Sequence, residues 1–251
     1  MSFVIPLSIL CFNYNRSKKL CQAFNFLKRI SELKSMKTIL IFFLGASLGS
    51  FLGLVFDRFP EKSILFPRSH CNHCKKTLTA RDLIPIFSQL INGSCCRFCH
   101  AKFPLWYAGL ELMSGLVALA CYADVISPAQ TILIYLGLIL TLYDLKEQAY
   151  PLCIWLIGSS LLFFFHPINQ ISLFFLFLAL LATFLPLKIG NGDFLFLASL
   201  TFTLDFYQLL YLLQLASLLG LTYYFIGKNK HKSIAFVPFL FLAYLVVLWL
   251  S

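Results

Sequence analysis

The sequence predicts an all-α polytopic membrane protein of about eight transmembrane helices, with a small metal-binding loop between the first and second helices. Of its 251 residues, 60% are hydrophobic and only 12% are charged, whereas a soluble domain carries about 25% charged residues. The hydrophobic residues form long uninterrupted blocks, which is typical of helices that face lipid. Most of the cysteines lie in the one sizeable polar stretch between the first two blocks.

The hydrophobic blocks give the number of predicted spans. In chain order they cover 39–56, 105–123, 129–143, 152–166, 171–187, 193–204, 207–226 and 234–250. Several are shorter than the roughly 20 residues that a perpendicular span requires, and the block 193–204 is a candidate half-span. Eight spans is the favoured count, and seven is the alternative.

The distribution of basic residues predicts the orientation. The formal charge of +10 does not indicate nucleic-acid binding, because the basic residues are distributed as the predicted membrane topology requires. If the spans alternate, all 13 Lys and Arg from residue 38 onward fall on one side; eight of them lie in the loop 57–104, and the others are Lys146, Lys188, Lys228, Lys230 and Lys232. The positive-inside rule therefore predicts a cytoplasmic loop.

The first 37 residues do not follow this charge pattern. They carry seven Lys and Arg, yet alternation places them outside. Either translation begins at Met36, or the segment is a basic extension on the membrane surface. The predicted domains are this extension at 1–37, a first transmembrane helix at 38–56, the cytoplasmic loop at 57–104 and a multi-helix transmembrane domain at 105–251.

Two cysteine pairs in the loop predict a zinc site. Cys71 and Cys74 form one C-x-x-C pair, and Cys96 and Cys99 form the second. Two such knuckles supply four thiolates to one tetrahedral ion, which leaves no open position for water and so favours a structural role. The separation of the pairs slightly exceeds the usual range of about 15–20 residues. The alternatives are free thiols, a redox switch, or replacement of a ligand by neighbouring side chains: Cys95, His70, His73 or His100.

Two aspartates at predicted helix ends are the candidate catalytic residues. Asp144 ends the third span and Asp193 opens the sixth, and alternation places both at the cytoplasmic face. Two carboxylates brought close together share a proton, so that one acts as base toward water while the other acts as acid. The opposing interpretation is that Asp193 is only a helix cap and that Asp144 is an interfacial charge.

Three further residues are candidates for supporting this site. Gly190 and Gly192 precede Asp193 and have no side chains, so a substrate strand can approach the backbone closely. Glu111 lies well inside the second span, where an ionisable residue is functional or makes a structural hydrogen bond.

In order along 39–250, these motifs resemble the prepilin peptidases, the leader peptidases of type IV pilin and competence-pseudopilin systems. The matching segments are Gly49–Leu52 with Arg58–Pro60, Arg68–Cys74, Asp82–Pro85, Cys96–Cys99, Pro104 with Glu111–Leu112, Asp144 with Pro151, the G-x-G-D signature Gly190–Asp193, and Phe236–Phe239. Departures from the family pattern include Gly53, Leu152, Ala235 and Val237. None of them replaces an aspartate.

The resemblance implies a function, a substrate and a location. The function would be aspartyl endopeptidase cleavage, at the cytoplasmic face of the bacterial membrane, of the short basic leader of pilin-like or pseudopilin precursors. Many family members also N-methylate the new N-terminus with S-adenosylmethionine; no Gly-rich nucleotide-binding motif in the loop supports that second activity independently.

Two rival interpretations start from the same residues. A non-enzymatic scaffold or transporter would use the zinc loop to dock a partner, but it predicts charged residues along facing spans, and here the spans are nearly bare of charge beyond Glu111. A G-x-G-D protease of the presenilin type would lack the cysteine loop.

Overall fold

The computed structural model describes residues 35–71, 73–184, 190–226 and 234–250. Within them the chain is helical, and the only β-type pairing consists of two isolated bridges in the loop. These described residues form nine α-helices: α1 (Ser35–Arg58), α2 (Phe87–Ile91), α3 (Trp106–Tyr122), α4 (Pro128–Glu147), α5 (Leu152–Leu162), α6 (Gln170–Phe184), α7 (Asn191–Leu200), α8 (Phe206–Ile226) and α9 (Val237–Leu250). A short 3₁₀ helix, Ala80–Leu83, precedes α2.

Each of the eight predicted hydrophobic blocks overlaps one of the described helices. In the part of the chain that the structure describes, three helices are long and apolar enough to cross a membrane: Met36–Arg58, Pro128–Glu147 and Phe206–Ile226. Four of the others are shorter apolar helices, and α7 has only ten residues. Large hydrophobic side chains on the outside, such as Phe164 (85% exposed), are the surface expected of a protein whose solvent is lipid. The count of eight spans stays a prediction.

Two helix ends differ from the predicted blocks. The block 152–166 predicts a longer helix than α5, which stops at Leu162 and leads into irregular turns before Pro167. The block 193–204 begins too late, because Gly190 serves as the N-cap of α7 and the helix already includes Asn191. Residues 1–34 of the predicted extension 1–37 lie outside the described residues, as do Lys188, Lys228, Lys230 and Lys232; the last three residues of the extension belong to α1.

Small residues allow α1 and α3 to pack closely. Gly45, Gly49 and Gly53 recur every four residues on α1 and so form one stripe of that helix. A Cβ at Gly49 would lie 2.6 Å from Oγ of Ser114 and 2.8 Å from the carbonyl oxygen of Leu110, both on α3. Position 49 therefore has no room for a methyl group, and the absence of a side chain there lets α1 and α3 approach this closely.

The second half of the chain forms the main core. Helices α4, α7, α8 and α9 contribute fully buried side chains, among them Leu140, Phe196, Leu212 and Tyr244. Helix α4 begins with a capping box in which Ser127 and Gln130 exchange hydrogen bonds, with Pro128 at the first helical position. This packing brings the C-terminal end of α4 beside the beginnings of α7 and α9.

The ten-residue α7 is held from both sides by side-chain hydrogen bonds. The indole N–H of Trp155 on α5 donates to the carbonyl of Leu195 at 2.9 Å and to Oγ of Ser199 at 2.8 Å. At its far end, the amide of Asn169 donates to the carbonyl of Thr201 at 2.7 Å. Backbone groups inside a membrane require such partners, because lipid supplies none.

Candidate active site and metal centre

Asp144 lies in the last turn of α4 and is buried, with 7% of its surface exposed. Its Oδ2 accepts a hydrogen bond of 3.0 Å from the backbone N–H of Val237, the first residue of α9. A helix start offers N–H groups without partners inside the helix, and they favour a negative charge. The fold therefore supplies Asp144 with a fixed donor from a remote segment.

Asp193 is the third residue of α7 and is half-buried. Its N–H donates to the carbonyl of Gly190 at 3.2 Å in the first turn. The segments that carry the two aspartates are in contact, because Tyr150, which follows Asp144 in the chain, hydrogen-bonds to Gly192, the residue before Asp193. That the two carboxylates form one catalytic site stays a prediction.

Tyr150, in the connection between α4 and α5, joins the two aspartate segments. Its hydroxyl donates to the carbonyl of Gly192 at 2.5 Å. Burial, followed by the charges of Asp193 and Asp144, raises the pKa of Tyr150, so the phenol keeps its proton and remains a donor. Sequence analysis missed this residue; its position immediately before Pro151 was the only local signal.

The Tyr150 ring explains why Gly192 lacks a side chain. A Cβ at position 192 would lie 2.9 Å from Cε1 of Tyr150, which is closer than real contacts allow. Among the described residues, a Cβ at Gly190 would meet only Oδ2 of Asp193, at 3.5 Å. Of the two predicted supporting glycines, Gly192 is the one that packing requires.

Tyr143 connects the aspartate end of α4 to the end of α1. Its hydroxyl donates to the carbonyl of Phe59 at 2.8 Å and lies 3.1 Å from that of Val55. Its ring packs edge-on against Phe56, with the centroids 5.3 Å apart. Because Tyr143 immediately precedes Asp144, these contacts also fix the carboxylate.

Glu111, the third predicted supporting residue, contacts the loop. It is buried at 6% exposure, and its Oε2 accepts the backbone N–H of Ile86 at 2.7 Å. Ser50 on α1 hydrogen-bonds to the same carboxyl group. Glu111 therefore connects α1, α3 and the loop. It also lines a cleft, and neither Asp144 nor Asp193 is among the residues that line this cleft.

The four predicted zinc ligands form one cluster. The Sγ atoms of Cys71, Cys74, Cys96 and Cys99 all lie within 4.8 Å of one another, with Cys71 to Cys99 at 3.7 Å and Cys74 to Cys96 at 3.9 Å. A tetrahedral zinc ion with Zn–S bonds of about 2.3 Å requires sulfur atoms roughly 3.8 Å apart. Two of the sulfur–sulfur distances match this spacing and all lie within 4.8 Å, so the four thiols can hold one zinc ion.

The two cysteine knuckles have the same backbone shape. Lys75 and His100, each directly after the second cysteine of its pair, have φ angles of 58° and 54°. Isolated bridges pair His70 with Thr77 and Cys95 with Lys102, in equivalent positions around the two knuckles. Backbone hydrogen bonds from Cys74 and then His73 lower the pKa of Cys71, which favours a thiolate at that position. At Cys99 the backbone hydrogen bond from Ala101 acts in the same direction, but burial and the neighbouring thiols outweigh it and raise the pKa.

Two of the alternative ligands have other partners. The thiol of Cys95 donates to the carbonyl of Gly93 at 3.3 Å. Nδ1 of His70 lies 2.9 Å from the carbonyl of Arg68. Among the described residues, the metal-competent group consists of the four paired cysteines.

A cleft of about 770 Å³ lies between the loop and the ends of α1 and α3, and we call it the loop cleft. Asp57 on α1 accepts a short hydrogen bond from the hydroxyl of Tyr107 on α3 at its wall. Arg58 donates from Nη1 to the carbonyl of Pro67 at 2.7 Å and so holds the loop strand against α1. Sequence analysis assigned no role to this cleft.

Comparisons with known proteins agree with this architecture. Residues 43–125 match the family model described as the bacterial peptidase A24 N-terminal domain. The chain is 30% identical, over 73% of its length and 80% of the relative's, to a prepilin leader peptidase/N-methyltransferase of Bacillus subtilis (strain 168). A protein of the same name from Aeromonas hydrophila is 29% identical over 84% of the chain and 90% of the relative.

A third relative matches over a shorter region. The prepilin leader peptidase/N-methyltransferase of Myxococcus xanthus (strain DK1622) is 38% identical over 84 residues, and the match spans 25% of that protein. No solved structure is significantly similar to the chain.

Proposed function

Because this chain belongs to the prepilin leader peptidase family, we propose that it is a membrane-embedded aspartyl endopeptidase for type IV prepilin-like or competence pseudopilin precursors. It would remove the short basic leader at the cytoplasmic face of the bacterial membrane. The observation that supports the proposal is the hydrogen bond from the Tyr150 hydroxyl to the Gly192 carbonyl, which joins the segment after Asp144 to the residue before Asp193.

The chemistry requires one proton between the two carboxylates. The ionised aspartate takes a proton from water as the oxygen attacks the carbonyl of the last leader residue. The protonated aspartate gives its proton to the departing amine as the C–N bond breaks. The donors around the pair, Val237 N–H on Asp144 and the Tyr150 hydroxyl on the Gly192 carbonyl, keep both carboxylates in place through these steps.

The charge pattern supports the proposed sidedness. A precursor with a basic leader and a hydrophobic helix keeps its leader in the cytoplasm, under the same positive-inside rule that places the loop there. The junction between leader and helix would then arrive at the depth of the α4 and α7 ends.

Zinc would have a structural role and stabilise the fold of the loop. Four cysteine thiolates fill the coordination sphere, so the ion supplies folding free energy rather than a bound water. The loop has few large buried side chains of its own, Cys71 and Cys96 being its buried hydrophobic residues. A small segment of this kind depends on a metal for its fold.

The names of the full-length relatives also support N-methylation of the new N-terminus, with S-adenosylmethionine as methyl donor. This second reaction would follow cleavage, because its substrate is the amine that cleavage releases. It would therefore take place on the same face of the membrane.

The peptidase proposal is tested with single aspartate variants. Membranes containing the chain are incubated with a leader-bearing pseudopilin, and the product's N-terminus is sequenced. We expect Asp144→Asn and Asp193→Asn to abolish cleavage at unchanged protein level. Asp205→Asn is the matched control, since Asp205 is exposed in the turn before α8 and Asn caps a helix as well as Asp does. Cleavage by either of the first two variants at the wild-type rate would refute the assignment.

A further inference from the structure

We propose that residues 84–91 of the loop, which we call the insert, lie inside the bilayer beside α1 and α3, with their apolar side in contact with lipid acyl chains. The insert includes α2 and belongs to the loop that the sequence predicts as cytoplasmic. No charged residue occurs among the 14 residues between Asp82 and Arg97. The sequence therefore allows this stretch to enter hydrocarbon, where a charge is costly.

The insert has its polar and apolar sides reversed relative to a helix in water. Ser88 lines the loop cleft, as does Asn92 directly after α2, and both are half-buried. On the outside, Leu90 is 72% exposed, Ile91 is 64% exposed, and Phe87 is exposed as well. A surface helix in water directs its apolar side chains toward the protein and its polar ones toward solvent. The reversed arrangement is expected where the outer solvent is lipid.

Contacts with α1 give the depth of the insert. The ring of Phe87 packs against that of Phe43, with the centroids 5.6 Å apart. Phe43 precedes Arg58, the charged end of α1, by 15 positions, which corresponds to about 22 Å along the helix. Because α1 is long and apolar enough to span a hydrocarbon layer of about 30 Å, this contact lies inside the layer. At the same level α1 exposes Leu40 and Leu44, as a helix covered by lipid does.

The backbone of the insert has hydrogen bonds of the kind that a bilayer requires. Pro85 has no N–H, and the N–H of Ile86 donates to Oε2 of Glu111 on α3 at 2.7 Å. Further N–H groups donate to carbonyls within the insert: Phe87 to Pro85, Ser88 to Ile84 and Leu90 to Ile86. Non-helical backbone occurs at membrane depth only where protein supplies its partners, because lipid supplies none. Glu111 is such a partner for the turn that precedes α2.

Both ends of the uncharged stretch lie together. Nη2 of Arg97, which follows the stretch, is 3.7 Å from Oδ2 of Asp82, which precedes it. Between these charges the chain reverses at Ile86, where φ is 64° and the N–H of Phe87 donates to the carbonyl of Pro85 at 2.6 Å, as in a γ-turn. The stretch therefore enters and leaves the bilayer on the same face, as a re-entrant segment does.

The insert separates the loop cleft from lipid. The cleft is lined by Ser50 and Glu111, and Ser50 is eight positions from Arg58, which places it about 12 Å below the charged end of α1. Polar side chains at this depth face protein or a water-filled cavity rather than acyl chains. The short α2 provides that partition, with Ser88 on the cleft side and Leu90 on the lipid side.

The first test measures thiol accessibility on the full chain in lipid nanodiscs, in which both membrane faces are open to water. Leu90→Cys is compared with Leu65→Cys, since Leu65 belongs to the same loop outside the insert and is 78% exposed. A thiol reacts as the thiolate, which lipid does not support, so Leu90→Cys should react with a charged maleimide about tenfold more slowly or less. Peptide mass spectrometry separates these adducts from those of the native cysteines. Equal rates would overturn the proposal.

The second test identifies the neighbour of the insert. A benzophenone amino acid is incorporated at position 90, or at position 65 as the control, and membranes containing the full chain are irradiated. We expect phospholipid adducts at position 90 and far fewer at position 65. An adduct that joins two copies of the chain, an adduct with a pilin-like protein, or no adduct at position 90 would each overturn the proposal. Neither test involves peptide cleavage, so its outcome is independent of the aspartate assignment.

Discussion

The backbone N–H of Val237 donates to Oδ2 of Asp144 across 3.0 Å, although 93 positions separate the two residues in the chain. This bond joins the first residue of α9 to the last turn of α4. The hydrogen-bond donor to Asp144 is therefore a backbone N–H, which most substitutions at position 237 would keep. Proline has no backbone N–H and would remove this donor.

Val237→Pro is expected to slow cleavage by about 10- to 100-fold. Hydrogen bonds to charged groups contribute about 1.5–3 kcal/mol, and about 1.4 kcal/mol corresponds to a factor of ten. Proline is tolerated at the first position of a helix, so the fold should survive. The control is Val237→Ala, which keeps the N–H, and the measurement is the rate of leader removal at equal protein concentration. Equal rates for the two variants would show that this bond is unimportant.

Gly192→Ala is expected to abolish most of the cleavage, because the new methyl group would lie 2.9 Å from the Tyr150 ring. Adding Tyr150→Ala removes the ring and should restore part of the activity lost by Gly192→Ala alone. Tyr150→Phe keeps the ring but loses the 2.5 Å hydrogen bond, and it should lower turnover while leaving the Michaelis constant unchanged. A double variant no better than Gly192→Ala would contradict the proposed contact.

Cys71→Ser or Cys96→Ser is expected to reduce bound zinc from one ion per chain toward none and to lower the unfolding temperature. Each substitution removes one of four thiolate ligands, and binding free energy in such a site is also folding free energy. Cys95→Ser is the matched control, since its thiol contacts the carbonyl of Gly93 instead. Elemental analysis by mass spectrometry measures the metal, and retention of a full zinc ion by the first two variants would refute the four-cysteine site.

Gly49→Ala is expected to destabilise the protein, whereas Gly109→Ala should be neutral or mildly stabilising. A Cβ at Gly49 meets the Leu110 backbone at 2.8 Å, which forces α1 and α3 apart, but a Cβ at Gly109 meets nothing within 4 Å. Alanine favours a helix over glycine by about 1 kcal/mol. Thermal unfolding in detergent compares the two variants, and equal midpoints would show that helix packing does not depend on this stripe.

Hydrophobic blocks and short motifs made much of this architecture predictable. Eight blocks each overlap a helix, because a lipid environment imposes long apolar segments whatever their tertiary contacts. The two C-x-x-C pairs identified the metal-competent cluster, since each pair closes a local knuckle. Asp144 and Asp193 were identified by the rarity of acidic residues near spans, and their role as a catalytic pair stays a prediction.

Contacts between remote segments were not predictable from the sequence. Tyr150 was overlooked because its role depends on Gly192, and nothing local indicates that the two residues meet. The bond from Val237 to Asp144 uses backbone, which has no sequence signature. Glu111 was expected to support the active site, but its observed partner is the Ile86 N–H in the loop, and whether it also supports catalysis stays a prediction.

The ten residues of α7 rise about 15 Å, roughly half of a 30 Å hydrocarbon layer. The far end of this helix is held by Asn169 on the Thr201 carbonyl and by Ser172 on the Ala198 carbonyl. A random-mutagenesis screen for lost processing should therefore recover alleles at Asn169, half a bilayer away from the carboxylates. Such substitutions would change the tilt of α7 and so displace Asp193, which lies at the opposite end of this helix.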